Sequence, residues 1–314
     1  MGAYVLRRVL LTIPLVVAVA ALVWGLLQAM PGDYCDSFLD PELNGRPEAV
    51  AALRHALGCD LPLGEQFLAA MRSILTLDFG VSLSQRAPVR QVLAAALPRT
   101  LLLTGTGFVL GQLLAIPIGV FQAARQGRAA DVGLSMVTLA FYSLPAFWLG
   151  VLLQLLLTLV WRLFPTSGVG NGGWDTAWHL VLPATTLALA SAAADARYVR
   201  GAMLEVIRQD YIRTARAKGA SEARVLLVHA LRNALLPTVA LFGLRLPYLF
   251  SGAVLVESIY AWPGLGRVLY AGISLPDLPL ISGAFFLFAM LVAAGGLLAD
   301  LATAAVDPRV RLDR

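Results

Sequence analysis

The sequence has little charge, one lysine, three histidines and two cysteines. Only 14% of its 314 residues are charged, whereas 59% are hydrophobic. The mean hydropathy is +0.76. This composition excludes an ordinary soluble domain and predicts an integral membrane protein.

The sequence also lacks motifs that bind nucleotides or metal ions. There is no G-x-x-x-x-G-K-[ST] loop, because Lys218 precedes Gly219 outside any phosphate-binding context. We therefore do not expect the chain to hydrolyse ATP alone. The histidines, His55, His179 and His229, lie in three separate segments, so no metal site is predicted.

Two further functions are disfavoured by where residues lie along the chain. The net charge of +5 comes from basic residues at the ends of apolar runs, without the aromatic and basic platform that binds nucleic acid. Ser251 with Gly252, and Ser282 with Gly283, lie where an intramembrane serine protease would place its nucleophile, but small residues in such segments more commonly pack helices. We predict a non-catalytic protein that binds no cofactor and no nucleic acid.

Apolar runs of sufficient length predict an all-α polytopic membrane protein with six transmembrane helices. Their approximate bounds are 9–30, 100–121, 132–160, 180–200, 237–260 and 280–305. In the third run, Pro145 predicts a kink. The arginine-rich segments fall on one side when six spans are threaded, so both termini are predicted to be cytoplasmic.

The segment between the first and second spans is mixed in charge and contains the amphipathic stretches PEAVAALRHALG and GEQFLAAMRSIL. We predict a small extracytoplasmic subdomain at 31–97, between an N-terminal transmembrane helix at 1–30 and a five-helix membrane core at 98–314. Cys35 and Cys59 both belong to this subdomain. A disulfide between them would persist outside the cytoplasm, and two buried thiols are the alternative.

The interval 197–237 is rich in charge without an apolar run, and its positive excess predicts a cytoplasmic loop. Asp210 is the predicted N-cap of a first short helix, Gly219 its left-handed C′ residue and Ser221 the N-cap of a second. Helical spacing places on an apolar face Leu227, Leu231, Ala234 and Leu235, and on a polar face Glu222, His229, Arg232 and Asn233. Such a hairpin lies on lipid headgroups or docks into a protein groove, and both alternatives stay open.

Three ionisable residues lie within or near predicted spans: Asp195, Arg245 and Glu257. Charge in hydrocarbon is costly, so each is a candidate gate or pathway residue. Asp195 and Arg245 have matching depths and are candidates for a pair that reports the opening of an inner gate. A static packing pair, or an Arg245 that reaches the headgroups, is the alternative. Glu257 either faces the pathway or lies at the membrane interface.

The stretch RTARAKGASEARVLLVHALRNALLP resembles the cytoplasmic EAA-type loop of ABC importer permeases of the dipeptide, oligopeptide and nickel branch. In the EAA-x3-G pattern, the E, A, A and G positions are occupied by Arg213, Thr214, Ala215 and Gly219. The first two depart from the general consensus, as that branch tends to do. Similar motifs occur along nearly the whole chain: MPGD from Met30, GCDLPL from Gly58, LDFGVS from Leu77, LPRT from Leu97, ESIYAWPGLGR from Glu257 and DPR from Asp307.

This resemblance implies a permease subunit of the bacterial inner membrane that forms, with a second homologous permease, a pathway for peptides or related small solutes. The other implied partners are two ATPases that hold ATP and Mg, an extracytoplasmic solute-binding protein and the lipid bilayer. The implied contact with the ATPase involves Arg213, Thr214, Ala215, Arg216, Ala217, Lys218, Gly219, Ala220, Ser221 and Glu222. The alternative is a stand-alone ion-coupled secondary transporter, against which the spans offer few acids for a proton relay.

Overall fold

Helices account for most of the chain in the computed structural model, which describes residues 2–29, 47–56, 58, 60–82, 84–236, 253–275 and 277–306. Helical structure suits so apolar a chain, because a helix satisfies its backbone polar groups internally. The first ten elements are α1 Gly2–Gln28, α2 Pro47–Ala56, α3 Leu63–Thr76, β1 Val81–Ser82, β2 Ala87–Pro88, α4 Val89–Ala124, α5 Ala129–Ser143, α6 Ala146–Gln154, α7 Gly173–Ile207 and α8 Asp210–Ala217.

Two of the helical elements contain π-helical turns. α6 continues into the π-helical segment Leu155–Val160. We call α9 the unbroken run of Glu222–Arg224, the π-helical turn Val225–Ala230 and the helical residues 231–236. The remaining helices are α10 at 253–259, α11 Leu265–Ser274 and α12 Leu278–Val306.

The chain divides into two compact units. The large unit comprises Thr100–Pro263 and Val292–Arg314, and the small unit comprises Gly2–Arg99 and Gly264–Leu291. The chain passes between the units inside the long helices α4 and α12, and again between Pro263 and Gly264, just before α11. The cytoplasmic loop predicted from the sequence belongs to the large unit.

Three described helices, α4, α7 and α12, are long and apolar enough to cross a membrane, and α5 with α6 adds a fourth if the bent pair is one span. In α1 the apolar part is the shorter stretch Ile13–Leu26. Most of the predicted fifth span, residues 237–252, lies outside the described residues. Six spans and two cytoplasmic termini therefore stay predictions.

Pro145 produces a full break in the third predicted span. α5 ends at Ser143, α6 begins at Ala146, and the two helices are bent by 100°. Leu144 before the proline is extended, with φ −83° and ψ 131°, as the residue before proline tends to be. The predicted kink at Pro145 is confirmed, as a break between two helices, and the predicted third span corresponds to this bent pair.

Other differences from the predicted elements arise where local packing extends or adds structure. α4 begins at Val89 rather than near 100, because its first turns are buried in the small unit through Val89, Leu93 and Ala96. α11 lies between the fifth and sixth predicted spans, where no helix was predicted, and it buries Leu265 and Leu269, one helical turn apart. A two-residue ladder, β1 with β2, interrupts the otherwise helical fold.

The small unit contains a buried carboxylate that is not predicted from the sequence. Asp277 accepts hydrogen bonds from Ser82 Oγ at 2.6 Å, Ser84 N at 3.0 Å and Ser84 Oγ at 2.8 Å, and a fourth from Leu280 N at 3.2 Å. These donors tie the turn after β1 to the start of α12. Four donors satisfy a buried carboxylate, so Asp277 has a structural role.

In the large unit α4 and α7 pack closely through small residues. A Cβ on Gly107 would lie 2.9 Å from Leu187 Cβ, and one on Gly111 would lie 2.7 Å from Ser191 Oγ. A Cβ on Gly119 would meet the backbone oxygen of Ala196 at 2.7 Å. Glycines four residues apart let membrane helices approach closely, which explains this contact.

A second packed region of the large unit surrounds Tyr260. We call it the Tyr260 cluster, and its buried members are Leu103, Leu182, Ala184, Leu187, Val256, Tyr260 and Trp262. The Tyr260 hydroxyl donates to Gly150 O at 2.9 Å and lies 3.0 Å from Thr186 Oγ1. Tyr260 O accepts from Gly168 N at 2.8 Å. The cluster therefore joins α6, α7 and the loop between them to the residues after α10.

Candidate functional site

The predicted cytoplasmic loop folds into two short helices, α8 and α9, which we call the 210–236 hairpin. α8 begins at Asp210, so its N-cap position is Gln209 and the prediction for Asp210 is wrong by one residue. Ser221 does occupy the N-cap position of α9, as predicted. Neither cap side chain bonds the helix start within the described residues. The acidic residues Asp210 and Glu222 in the two first turns favour the helix dipoles instead.

Gly219 forms the corner of the hairpin. Its φ of +82° is left-handed, and no atom lies within 4 Å of a Cβ placed on it. Gly219 N donates to Arg216 O at 2.9 Å, and Ala220 N donates to Ala215 O at 3.2 Å. These two bonds are those of a Schellman motif, so the predicted C′ role of Gly219 is confirmed.

Two side-chain contacts hold the hairpin closed. Across the corner, Arg216 donates to Glu222 through Nε to Oε2 at 3.1 Å and through Nη2 to Oε1 at 2.7 Å. This contact holds the pKa of the Glu222 carboxyl below its ordinary value and raises the pKa of Arg216. At the end of the hairpin away from the Gly219 corner, Asn233 Nδ2 donates to Tyr211 Oη at 2.8 Å. Neither contact was predicted, although opposite charges on both sides of a helix-ending glycine are a usable signal.

The inner side of the hairpin is apolar and packs on α4 and α7. We call this packed group the hairpin cluster, and its buried members are Val120, Ala123, Val199, Met203, Ile212, Val225, Ala230 and Ala234. Both helices of the hairpin contribute to this cluster: Ile212 comes from α8, and Val225, Ala230 and Ala234 come from α9. The hairpin is therefore packed against the ends of two long helices.

The predicted faces of α9 are partly wrong. Leu227, placed on the apolar face, is 58% exposed, whereas Val225 and Ala230 are fully buried. The cause is the π-helical turn, in which Leu231 N bonds Leu226 O five residues earlier. Residues five apart therefore share a face, and the α-helical period used for the prediction no longer applies.

The residues predicted to contact an ATPase lie mostly on the solvent-exposed side of the hairpin. Ala215 and Ala220 are half-buried, while the other eight are exposed: Arg213, Thr214, Arg216, Ala217, Lys218, Gly219, Ser221 and Glu222. The hairpin thus presents a polar, largely basic surface around the glycine corner. Such a surface is available to a partner, while the apolar side is already covered by α4 and α7.

The three predicted gate or pathway residues are not brought together within the described chain. Asp195 is buried in α7, where its Oδ2 accepts a hydrogen bond from Gln112 Nε2 of α4 at 2.9 Å. Arg245 lies outside the described residues. Glu257 is fully buried in α10 and accepts from Thr100 Oγ1 at 2.6 Å, so it is open neither to a pathway nor to an interface in this conformation. The possible disulfide residues, Cys35 and Cys59, also lie outside the described residues.

A buried ion pair beside the hairpin is not predicted from the sequence. Arg200 of α7 donates to Asp131 of α5 through Nε at 3.0 Å and Nη2 at 2.8 Å. Asp131 also accepts from Gly127 N at 3.0 Å and Ser135 Oγ at 3.4 Å. Arg200 is seven residues before the last residue of α7, Ile207, and α8 starts three residues later. The pair therefore lies close along the chain to the hairpin.

Two family models match most of the chain. The first, described as a binding-protein-dependent transport system inner membrane component, matches residues 115–312. The second, described as the N-terminal part of a binding-protein-dependent transport system membrane component, matches residues 1–104. Together they include α7, the whole hairpin and all of α4 except residues 105–114.

Relatives of similar length match across nearly the full chain. The oligopeptide transport system permease protein AppB of Bacillus subtilis is 38% identical over 99% of both chains. The dipeptide transport system permease protein DppB of Escherichia coli K12 is 34% identical over 98% of both. The glutathione transport system permease protein GsiC of Salmonella choleraesuis is 37% identical over 98% of both.

A solved structure has a similar fold. Part of the chain resembles a chain of the MetNI methionine ABC transporter in an inward-facing conformation, with a TM-score of 0.58 and 22% identity. The match covers 69% of this chain and 97% of the other. At this identity the likeness is one of fold alone.

Proposed function

The chain belongs to the family of binding-protein-dependent transport system inner membrane components, and from this premise we propose that the 210–236 hairpin couples transport to ATP hydrolysis on partner subunits. The protein is a permease subunit of a peptide-type ABC importer and a component of the inner membrane. It acts as a transport component rather than an enzyme. Its relatives are named for oligopeptides, dipeptides and glutathione, which supports short peptides and related compounds as the solute class.

The complex that we propose contains this chain, a second homologous permease, two ATPases and an extracytoplasmic solute-binding protein. ATP and Mg belong to the ATPases, since the chain has no phosphate-binding loop of its own. In this complex the chain has six spans with both termini in the cytoplasm. The subdomain at 31–97 then faces the solute-binding protein.

The geometry of the hairpin is the observation that carries the proposal. Its apolar side packs on α4 and α7, so the polar side around Gly219 is the one left for a partner. This arrangement favours docking into a protein groove over lying on lipid headgroups. Because the Arg216–Glu222 contact and the Schellman motif fix the corner, a partner that grips it moves the two long helices as well.

Asp195, Arg245 and Glu257 keep their proposed gate and pathway roles in this scheme. Asp195 lies beside the close α4–α7 contact, where a change of helix spacing alters its hydrogen bond with Gln112. Asp195 pairs with Arg245 across the inner gate, and Glu257 becomes accessible to the pathway in another conformation. A stand-alone ion-coupled transporter, the alternative class, gains no support from these three relatives, each of which is named as the permease protein of a transport system.

Replacing Gly219 with valine tests the coupling role. The left-handed conformation costs a β-branched residue about 1–2 kcal/mol or more, so the corner opens. We expect uptake per ATP hydrolysed to fall about tenfold, the ratio that 1.4 kcal/mol represents. The measurement is uptake of a radiolabelled dipeptide, tripeptide or glutathione into proteoliposomes that contain the complete complex, beside ATP hydrolysis in the same sample.

Two variants serve as controls for Gly219→Val. Asparagine tolerates left-handed conformations, so Gly219→Asn is expected to keep most of the coupling. Gly172 also has a left-handed φ, +100°, with open space around its Cβ position, but it lies at the opposite end of α7. Gly172→Val is expected to retain uptake per ATP. Equal uptake per ATP for Gly219→Val and the parent would contradict the proposed role.

A further inference from the structure

The Asp131–Arg200 pair has the geometry of a rigid, largely buried contact between two helices rather than of a surface contact. Its two parallel N–H···O bonds form a bidentate fork, the arrangement that gives an arginine pair both strength and direction. The Asp131 side chain is 4% exposed and that of Arg200 is 29% exposed. Water therefore competes little for the carboxylate.

One carboxylate joins three segments at this position. Asp131 lies in the first turn of α5, Arg200 lies in α7, and Gly127 N donates from the turn between α4 and α5. Gly127 has a φ of +75°, the left-handed conformation that the turn requires. Loss of the carboxylate would release this turn and α5 from α7 together.

The way α5 is held differs from the way α4 and α7 are held. α4 and α7 both contribute apolar residues to the hairpin cluster, whereas no described member of that cluster comes from α5. Beside the hairpin, α5 is instead connected through polar contacts: Asp131 with Arg200, and Ser135 with Gln122 of α4 at 3.0 Å. The hairpin is thus joined to α4 and α7 through apolar packing, whereas the start of α5, a helix that also packs along α7, is fixed beside the hairpin by hydrogen bonds.

A buried ion pair is weak evidence for stability, because apolar residues of similar volume often stabilise as well. What the fork provides is a specific register between two helices. We propose that the Asp131–Arg200 pair positions α5 on α7, so that movement of the hairpin passes into α5 and, beyond the 100° bend, into α6. This inference rests on the proposed coupling role of the hairpin and adds the second step of the transmission.

Asp131→Asn, Arg200→Gln and the double variant test the pair in the complete reconstituted complex. Uptake of the radiolabelled peptide that the parent transports is measured together with ATP hydrolysis, and the readout is solute taken up per ATP. Residues along a coupling route change coupling without contacting either ligand, so we expect each single variant to lower the ratio about tenfold. If the residues act only as a pair, the double variant is no worse than either single one.

Asp175→Asn is the matched control. Asp175 also accepts a backbone hydrogen bond in a turn, from Asn171 N at 2.7 Å, but it lies in the first turn of α7, far along that helix from Arg200. Like Asp131→Asn, Asp175→Asn removes one negative charge from the large unit, and it is expected to leave the ratio of solute taken up per ATP unchanged. Arg200→Lys, which keeps the charge but loses the fork, is used if the neutral variants do not assemble.

The ratio separates a positioning role from a merely structural one. A loss of folded complex lowers uptake and ATP hydrolysis together and leaves the ratio of the remaining complex unchanged. An unchanged ratio in the single variants, or in Arg200→Lys where that is the variant that assembles, overturns the proposal. Losses that multiply in the double variant overturn it as well. The Gly219 series tests the hairpin independently, so failure of one role is distinguishable from failure of the other.

Discussion

The 210–236 hairpin and the Tyr260 cluster belong to the same unit but are held by different kinds of contact. In the Tyr260 cluster the contacts are buried, and its hydrogen bonds link uncharged groups on Tyr260, Thr186 and Gly150. In the hairpin, the Arg216–Glu222 contact is ionic, with side chains 39% and 59% exposed. Both regions pack on α4 and α7 through apolar residues, but the polar contacts are buried in the Tyr260 cluster and reached by water at the corner of the hairpin.

This difference fits two separate tasks. Buried hydrogen bonds are costly to break without replacement, so the Tyr260 cluster resists rearrangement. Exposed ion pairs contribute little stability, so the hairpin keeps its shape without being locked to one environment. A partner can therefore surround the hairpin, while the packing around Tyr260 holds α6 and α7 in place.

Replacing Trp262 is expected to have the largest effect on stability. Trp262 is fully buried in the Tyr260 cluster, so Trp262→Ala leaves a cavity and lowers the free energy of unfolding by about 3–5 kcal/mol. Unfolding of the purified protein in detergent, followed by intrinsic fluorescence and circular dichroism, measures the change. Trp174 is 80% exposed, and Trp174→Ala is the control with little expected loss. Equal losses for the two variants would contradict the buried character of the cluster.

Gly119 tests the close contact of α4 with α7, which lies between the two regions compared. A Cβ there would lie 2.6 Å from Val199 Cβ, so Gly119→Ala forces the helices apart and is expected to cost about 1–3 kcal/mol. Gly105 lies in the same helix with no atom within 4 Å of its Cβ position. Gly105→Ala removes a poor helix former and is expected to be neutral or to stabilise by up to about 1 kcal/mol. The same unfolding experiment distinguishes the two, and equal effects would exclude a tight contact at Gly119.

The corner of the hairpin could be predicted because its signals are local. Gly219 follows a helix that ends in basic residues, and Ser221 precedes an acidic residue, so short-range chemistry determines where the chain turns. The long apolar helices were predicted for a similar reason. Their ends were less predictable, because Val89 is helical through packing in the small unit rather than through membrane length.

Contacts between distant residues could not be predicted in this way. Asp131 and Arg200 are 69 positions apart, and Tyr260 and Gly150 are 110 apart, so no periodic pattern shows that they meet. The prediction of the apolar and polar faces of α9 was partly wrong for a different reason. Its π-helical turn changes the spacing that the prediction assumed, and a sequence of small and apolar residues gives no sign of the extra residue in the turn.

Of these variants, Glu222→Gln should have the smallest effect on stability, and it tests the ionic contact at the corner of the hairpin. The variant removes the charge that Arg216 contacts, and an exposed pair of this kind contributes roughly 0.2–1 kcal/mol after screening by solvent. Because the pairing lowers the pKa of Glu222, its contribution is complete above the ordinary carboxyl value of 4.5 and is lost as the pH falls below it.

Thermal unfolding in detergent is measured at pH 7 and at pH 4, in low and high salt. The parent should exceed the variant slightly at pH 7 and low salt, and the difference should be smaller at pH 4 and in high salt. Glu205 is exposed on α7 without an ion pair among the described residues, so Glu205→Gln should cause no loss of stability that depends on salt. A loss for Glu222→Gln as large as that for Trp262→Ala would contradict a solvent-screened contact at the corner of the hairpin.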